Sequence, residues 1–169
     1  METTEAPQDT TIVQPQKEHQ WLQKLVGEWT YEIETMMGSE PNEKSTGTET
    51  VRSLGGIWVL AEGQGEMSGC GPATTLMTLG YDPQQQSYVG TWIGSMMTYL
   101  WQYKGELDAD ETVLTLNSDG PVMTGEAKIG KYKDVIEFKS DDHRVLTSHM
   151  LRDDGQWQHF MTAHYWRKQ

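Results

Sequence analysis

Two histidines near the end of the chain, His149 and His159, flank an Asp-Asp-Gly turn, and imidazoles meeting there could hold a metal, ligate haem or exchange protons near neutral pH. The stretch LRDDGQW suits a three-residue hairpin connection with Gly155 in the left-handed conformation. That turn pairs Arg152 with Gln156 and sets His149 opposite His159; a two-residue turn would shift the register by one and part them. The face they share also carries Val145, Thr147, Leu151, Trp157, Met161, Ala163 and Tyr165, and is expected to look inward. Arg144, Arg152, Gln156 and Gln158 take the other face. No third ligand is evident, since His143 sits at a turn and alternation points His164 away from His159, so no metal is expected. Ordinary cross-strand histidines with satisfied hydrogen bonds are the plainer reading.

A second set is aromatic. In TYLWQYKGEL, Tyr99, Trp101, Tyr103 and Leu107 fall on one side of a strand and Gln102, Lys104 and Glu106 on the other, so the aromatic side is expected inside. The candidate ligand-lining residues are therefore Tyr99, Trp101, Tyr103, His149, Trp157, His159, Met161 and Tyr165. No residue is singled out as catalytic, and no cofactor is expected. His19 is expected to pack or hydrogen-bond within a helix. The glycines of GQGEMSGCG have no following helix and make no phosphate cradle. Cys70 lacks a neighbouring cation that would activate its thiol, and Asp141–Asp142 and Asp153–Asp154 occupy turns where Asp bonds locally to backbone.

Composition narrows the partners. Seven Trp, seven Tyr and ten Met stand against two Phe, a balance that suits either a cavity wall or a filled core. A net charge of −12 repels nucleic acid and anionic membrane surfaces. A single cysteine excludes an internal disulfide framework and fits a reducing compartment. No apolar run approaches a membrane span, and the polar, acidic start METTEAPQDT is unlike a signal peptide, so a cytoplasmic location is expected.

These residues need elements to position them. Residues 1–16 are expected to form a disordered tail, and 17–169 one domain. KEHQWLQKLV carries Trp21, Leu22, Leu25 and Val26 as one helical stripe ended by Gly27. Strands are expected at about 28–37, 46–54, 57–67, 73–81, 87–93, 98–107, 112–118, 132–139, 144–152 and 156–166, with an irregular stretch over 119–130. Short connections imply antiparallel neighbours, and closure removes exposed edges, so the fold class is all-β: a single antiparallel up-and-down β-barrel of about ten strands with a short N-terminal helix. Ten tilted strands give a backbone radius of about 10 Å and leave room for a small molecule, unless side chains fill it.

The stretches EHQWLQKLVGEW, LGGIWVLAEGQGEM, LGYDPQQQSYVGTWIGSMMTYLW and DGQWQHFMTAHYWRK, in this order and spacing, resemble the DUF1579 family of calycin-like, lipocalin-like barrels over about residues 17–169. The resemblance implies the barrel and its helix and carries no reaction. Family members often have Asp where this chain has Gly94, between Ile93 and Ser95. The start Gly27-Glu28-Trp29 is also similar to haem-binding nitrobindin-like barrels, although Thr30 and Tyr31 follow where those have more glycines. Four functions stay open at this point. They are binding of a small, partly apolar molecule inside the barrel, acid-base catalysis at His149 and His159, haem binding, and a homodimer through exposed aromatics such as Trp166.

Overall fold

The computed structural model describes residues 13–36, 43–67 and 71–169. Cys70 and most of the expected N-terminal tail lie outside the described residues.

The helix α1 (Lys17–Gln23) begins where Gln16, in extended conformation, gives its backbone N–H to Nδ1 of His19 at 2.9 Å. With Nδ1 accepting, the other ring nitrogen donates to the Tyr81 carbonyl at 3.0 Å. His19 thus ties the helix start to the sheet and is fully buried in doing so. The stripe of Trp21, Leu22 and Leu25 is buried against the barrel, and the Trp21 indole donates to the Glu111 carbonyl at 2.7 Å. Seven residues make a marginal helix alone, so its stability comes from this packing.

Ten strands follow among the described residues: β1 (Gly27–Thr35), β2 (Glu43–Leu54), β3 (Trp58–Met67), β4 (Gly71–Asp82), β5 (Ser87–Gly94), β6 (Trp101–Leu107), β7 (Val113–Pro121), β8 (Ile129–Ser140), β9 (His143–Leu151) and β10 (Trp157–Arg167). Each pairs antiparallel with its sequence neighbour, and β1 pairs with β10 to close the barrel. The expected meander is thereby the observed one, and the stretch expected to be irregular over 119–130 shortens to a loop between β7 and β8. Turn chemistry sets the register at the last hairpin. Gly155 has φ +81° and Arg152 bonds Gln156 backbone to backbone at 2.8 Å, which places His149 opposite His159.

The two ends of the barrel differ. The helix, bonded to Tyr81 on β4, Tyr88 on β5 and Glu111 in the β6–β7 turn, stops one end, where Leu22, Leu25, Trp29, Val51, Val59, Leu79, Leu114, Leu116, Ile136 and Leu146 form the core. Arg167 fastens this end from the chain terminus by donating to the Val26 and Lys24 carbonyls at 2.7 and 2.9 Å. Toward the opposite end the core gives way to a hollow. The interior is therefore filled at the helix end and open beyond it.

β10 carries a bulge between His159 and Met161, so that Phe160 has no partner on β9. A bulge adds one residue and changes which side chains face in. Before it, Trp157 and His159 point outward; after it, Met161, Ala163 and Tyr165 point inward.

Candidate lumen site

The hollow is a cavity of about 430 Å³ reaching from the core to a rim that includes Glu43, Lys44, Glu66, Met67, Met96, Met97 and Met123. Four rim methionines explain part of the methionine excess, because an unbranched thioether keeps a mouth apolar yet adaptable. The wall is mostly apolar, with two buried polar groups of residues set into it.

The first group follows from strand register. Arg144 on β9, Tyr165 on β10 and Tyr31 on β1 are successive cross-strand partners, and the row continues through Gly47 on β2 and Gly65 on β3. All three large side chains line the cavity. Without Cβ atoms at Gly47 and Gly65, the Tyr31 ring lies across β2 and β3; a Cβ at either would collide with its hydroxyl. The Arg144 guanidinium stacks 3.8 Å from the Tyr165 ring and 4.7 Å from Trp29, and its Nη2 donates to Glu49 on β2. The pair is charge-neutral and buried. Burial, followed by the charge of Glu49, raises the phenol pKa of both Tyr31 and Tyr165, so both stay protonated donors.

The second group joins Tyr103 on β6, Asp134 on β8 and Ser148 on β9. The Tyr103 hydroxyl donates to one Asp134 oxygen at 2.5 Å, and the Ser148 hydroxyl donates to the other at 2.6 Å. These bonds favour the carboxylate, but desolvation outweighs them and raises the Asp134 pKa above its ordinary value. Burial and the Asp134 charge push the Tyr103 phenol well up.

Of the residues expected from sequence to line the interior, Trp101, Tyr103, Met161 and Tyr165 border the cavity. The other four do not. Tyr99 precedes β6 and caps the wall from outside the cavity lining, its hydroxyl bonded to the Asp119 carbonyl at 2.8 Å and its ring edge-on to Trp101. His149, Trp157 and His159 lie on the outer face, because the Phe160 bulge divides the face that plain alternation treats as continuous. The histidines do meet, with ring centroids 5.1 Å apart, but their Nε2 atoms bond to Thr147 and to Met161 and Thr162. Lys133 sits over the Trp157 ring at 4.4 Å.

The same bulge corrects His164. It shares the outer face with His159, and bonds His143 at 3.0 Å in a stack that includes Trp166. None of the five histidines borders the cavity, so the interior offers haem no imidazole ligand. Conversely, Arg144 looks in although alternation assigns it to the outer face, and Glu49 and Asp134, outside the set expected from sequence, line the cavity with it. Asp134 had a signal in the sequence: it alternates with Tyr132, Ile136 and Phe138, an acid in an apolar register.

Fold and lumen together define an antiparallel ten-stranded barrel with a stoppered end and a polar-studded interior. The chain belongs to the DUF1579 family, described as proteins of unknown function, whose family pattern matches residues 14–167. No curated protein matches it. Among solved structures it is similar to Rv2717c from M. tuberculosis, with TM-score 0.58 and 14% identity over 89% of this chain and 96% of that one. It is also similar to the S-type phycobiliprotein lyase CPES from Guillardia theta, with TM-score 0.59 and 10% identity over 92% of this chain and 99% of that one. At such identities the likeness concerns the barrel fold. No helix among the described residues is long and apolar enough to cross a membrane.

Proposed function

We propose that this protein binds a small, partly apolar molecule inside the barrel. The observation that carries the reading is the cavity of about 430 Å³ between the core and the rim, apolar over most of its wall with a few convergent polar groups. Ligand pockets have this size and balance. Trp101, Tyr103, Met161 and Tyr165 are proposed as contacts, together with Tyr31, Glu49, Asp134 and Arg144. Aromatic and methionine surface supplies area, and the buried polar atoms fix orientation. Incubation with a lipid and metabolite extract followed by native mass spectrometry tests the reading, with Ala61→Phe, which fills the lumen, as the control. A mass adduct retained by the wild-type chain and absent from the control is expected. Identical spectra for the two overturn the proposal.

A second reading rests on Asp134. A buried carboxyl with a raised pKa beside a hollow is suited to proton transfer with a bound molecule. It keeps the acid-base alternative but moves it from His149 and His159 to the lumen. Retention of a chemically altered adduct by wild type, and of the unaltered one by Asp134→Asn, is the expected signature.

A further inference from the structure

We infer that the molecule held in the lumen carries an uncharged hydrogen-bond acceptor, a carbonyl or similar oxygen, directed at the Tyr31 and Tyr165 hydroxyls beside Arg144, with its apolar body toward the methionine rim. The inference rests on the lumen-binding reading above and names the chemistry of its occupant.

The polar atoms on the wall are unequally matched. Asp134 is satisfied within the protein, since each of its oxygens accepts from a hydroxyl. Tyr132 spends its hydroxyl on the Pro121 carbonyl at 2.7 Å, and the Trp101 indole points to the Met97 sulfur at 3.2 Å. The row Arg144–Tyr165–Tyr31 is different. Arg144 is 3% exposed, gives Nη2 to Glu49, and leaves its buried Nε–H without a partner. The Tyr165 and Tyr31 rings stand with centroids 5.5 Å apart, and neither hydroxyl has a hydrogen-bond partner among the described residues. Two phenol donors on adjacent strands thus border one hollow and lack an acceptor, with the orphaned Arg144 Nε–H sealed behind them. Covering these hydroxyls with a ligand that offers no acceptor costs about 1–3 kcal/mol per donor, so an oxygen brought to this row gains more than one placed elsewhere on the wall.

Charge distinguishes among acceptors. Glu49 already neutralises Arg144, and Asp134 is a second acid on the same wall. At the mouth, Glu43 and Glu66 outnumber Lys44, which itself pairs with Glu32 at 3.5 Å. A carboxylate entering this lumen would meet no unpaired cation among the described residues and would add charge to a site where desolvation is already expensive. A neutral oxygen needs only the donors that are present. Both phenols hold their protons throughout the physiological range because burial raises their pKa, so the site donates at any pH at which the chain is folded and neutral to mildly alkaline.

The test uses the full chain and three matched compounds: benzophenone as the neutral acceptor, diphenylmethane as the hydrocarbon of similar shape, and diphenylacetate as the anion. Calorimetric titration gives an affinity for each against wild type, Tyr31→Phe and Tyr165→Phe, with circular dichroism confirming the fold. Benzophenone is expected to bind about tenfold or more tighter than diphenylmethane, and each variant to reduce that ratio about three- to tenfold. Equal affinities for benzophenone and diphenylmethane overturn the inference while leaving lumen binding standing. Tightest binding by diphenylacetate overturns the uncharged acceptor. Failure of all three to bind overturns the lumen-binding reading and the inference with it. If either variant does not fold, the wild-type ranking of the three compounds decides.

Discussion

Arg144 and Glu49 form an ion pair inside the barrel, with side chains 4% and 10% exposed and the guanidinium held between the rings of Trp29 and Tyr165. They come from strands β9 and β2, which are not neighbours, so inside the barrel the pair reaches past β10 and β1 and ties together strands that share no ladder. Two opposite charges out of water repay their desolvation poorly, yet each depends on the other to be buried at all.

Deleting one partner should therefore be far worse than replacing both. Glu49→Ala is expected to cost about 3–5 kcal/mol, read from urea denaturation as a lower midpoint with unchanged slope. Glu49→Leu combined with Arg144→Met should recover most of that loss. A single variant within about 0.5 kcal/mol of wild type would show the pair to be screened by water in the lumen.

Asp134 predicts a pH dependence of stability. Its pKa is raised in the folded chain, so between the ordinary value of 3.8 and the folded value the native state holds more proton than the unfolded one. Stability contributed by protonated Asp134 is complete below that ordinary value and is lost as pH rises through the folded pKa. Asp134→Asn removes a titrating group from the wall and is expected to flatten this descending limb. Urea midpoints measured across the acid range give the comparison, and an unchanged limb in the variant would remove Asp134 as its cause.

His143 and His149 act in the opposite direction. Desolvation, followed by the neighbouring His164 and His159 respectively, lowers their pKa from 6.5. Their contribution is present above that value, where both states are neutral, and is lost as pH falls through it and the unfolded chain takes up protons. Both side chains keep some contact with water, so the effect is small. Replacing both by Gln should reduce the acid-side loss of stability. Because these residues lie outside the cavity lining, His149→Ala and His159→Ala are also expected to leave lumen binding unchanged in the same calorimetric titration. A tenfold loss of affinity in either would place the site on the outer face instead.

The strand count, meander order and closing hairpin were legible because each rests on local chemistry: alternating side chains, Asp and Gly at turns, and a left-handed Gly155. The inward set of β6 was legible for the same reason, except at Tyr99, which falls just before the strand begins. What escaped depends on contacts between strands. Neither face of β9 is distinctly apolar, since Arg144, Leu146 and Ser148 alternate with Val145, Thr147 and His149. Choosing between them required knowing that Phe160 is extra, and a bulge leaves no residue-type signature when the bulged residue is itself apolar. Arg144 and Glu49 lie 95 positions apart, and neither segment alone reveals that a partner awaits it inside.

Gly65 supplies the last prediction. It lies on β3 opposite Gly47, and an added Cβ would meet two obstacles: the hydroxyl of Tyr31 and the carbonyl oxygen of Thr46 at 2.7 Å. The side chain can swing away, whereas the carbonyl belongs to the β2 backbone and cannot. Gly65→Ala is therefore expected to destabilise the chain by about 1–3 kcal/mol and to displace Tyr31 from its position across β2 and β3. Removing the hydroxyl as well, in Gly65→Ala with Tyr31→Phe, should restore only part of the loss because the contact with Thr46 remains. A double-mutant cycle from urea denaturation isolates the share that belongs to Tyr31. Full recovery in the double variant would mean that the strand backbone yields freely and that the glycine serves the tyrosine alone. No loss in the single variant would mean that Tyr31 does not occupy the space those glycines leave.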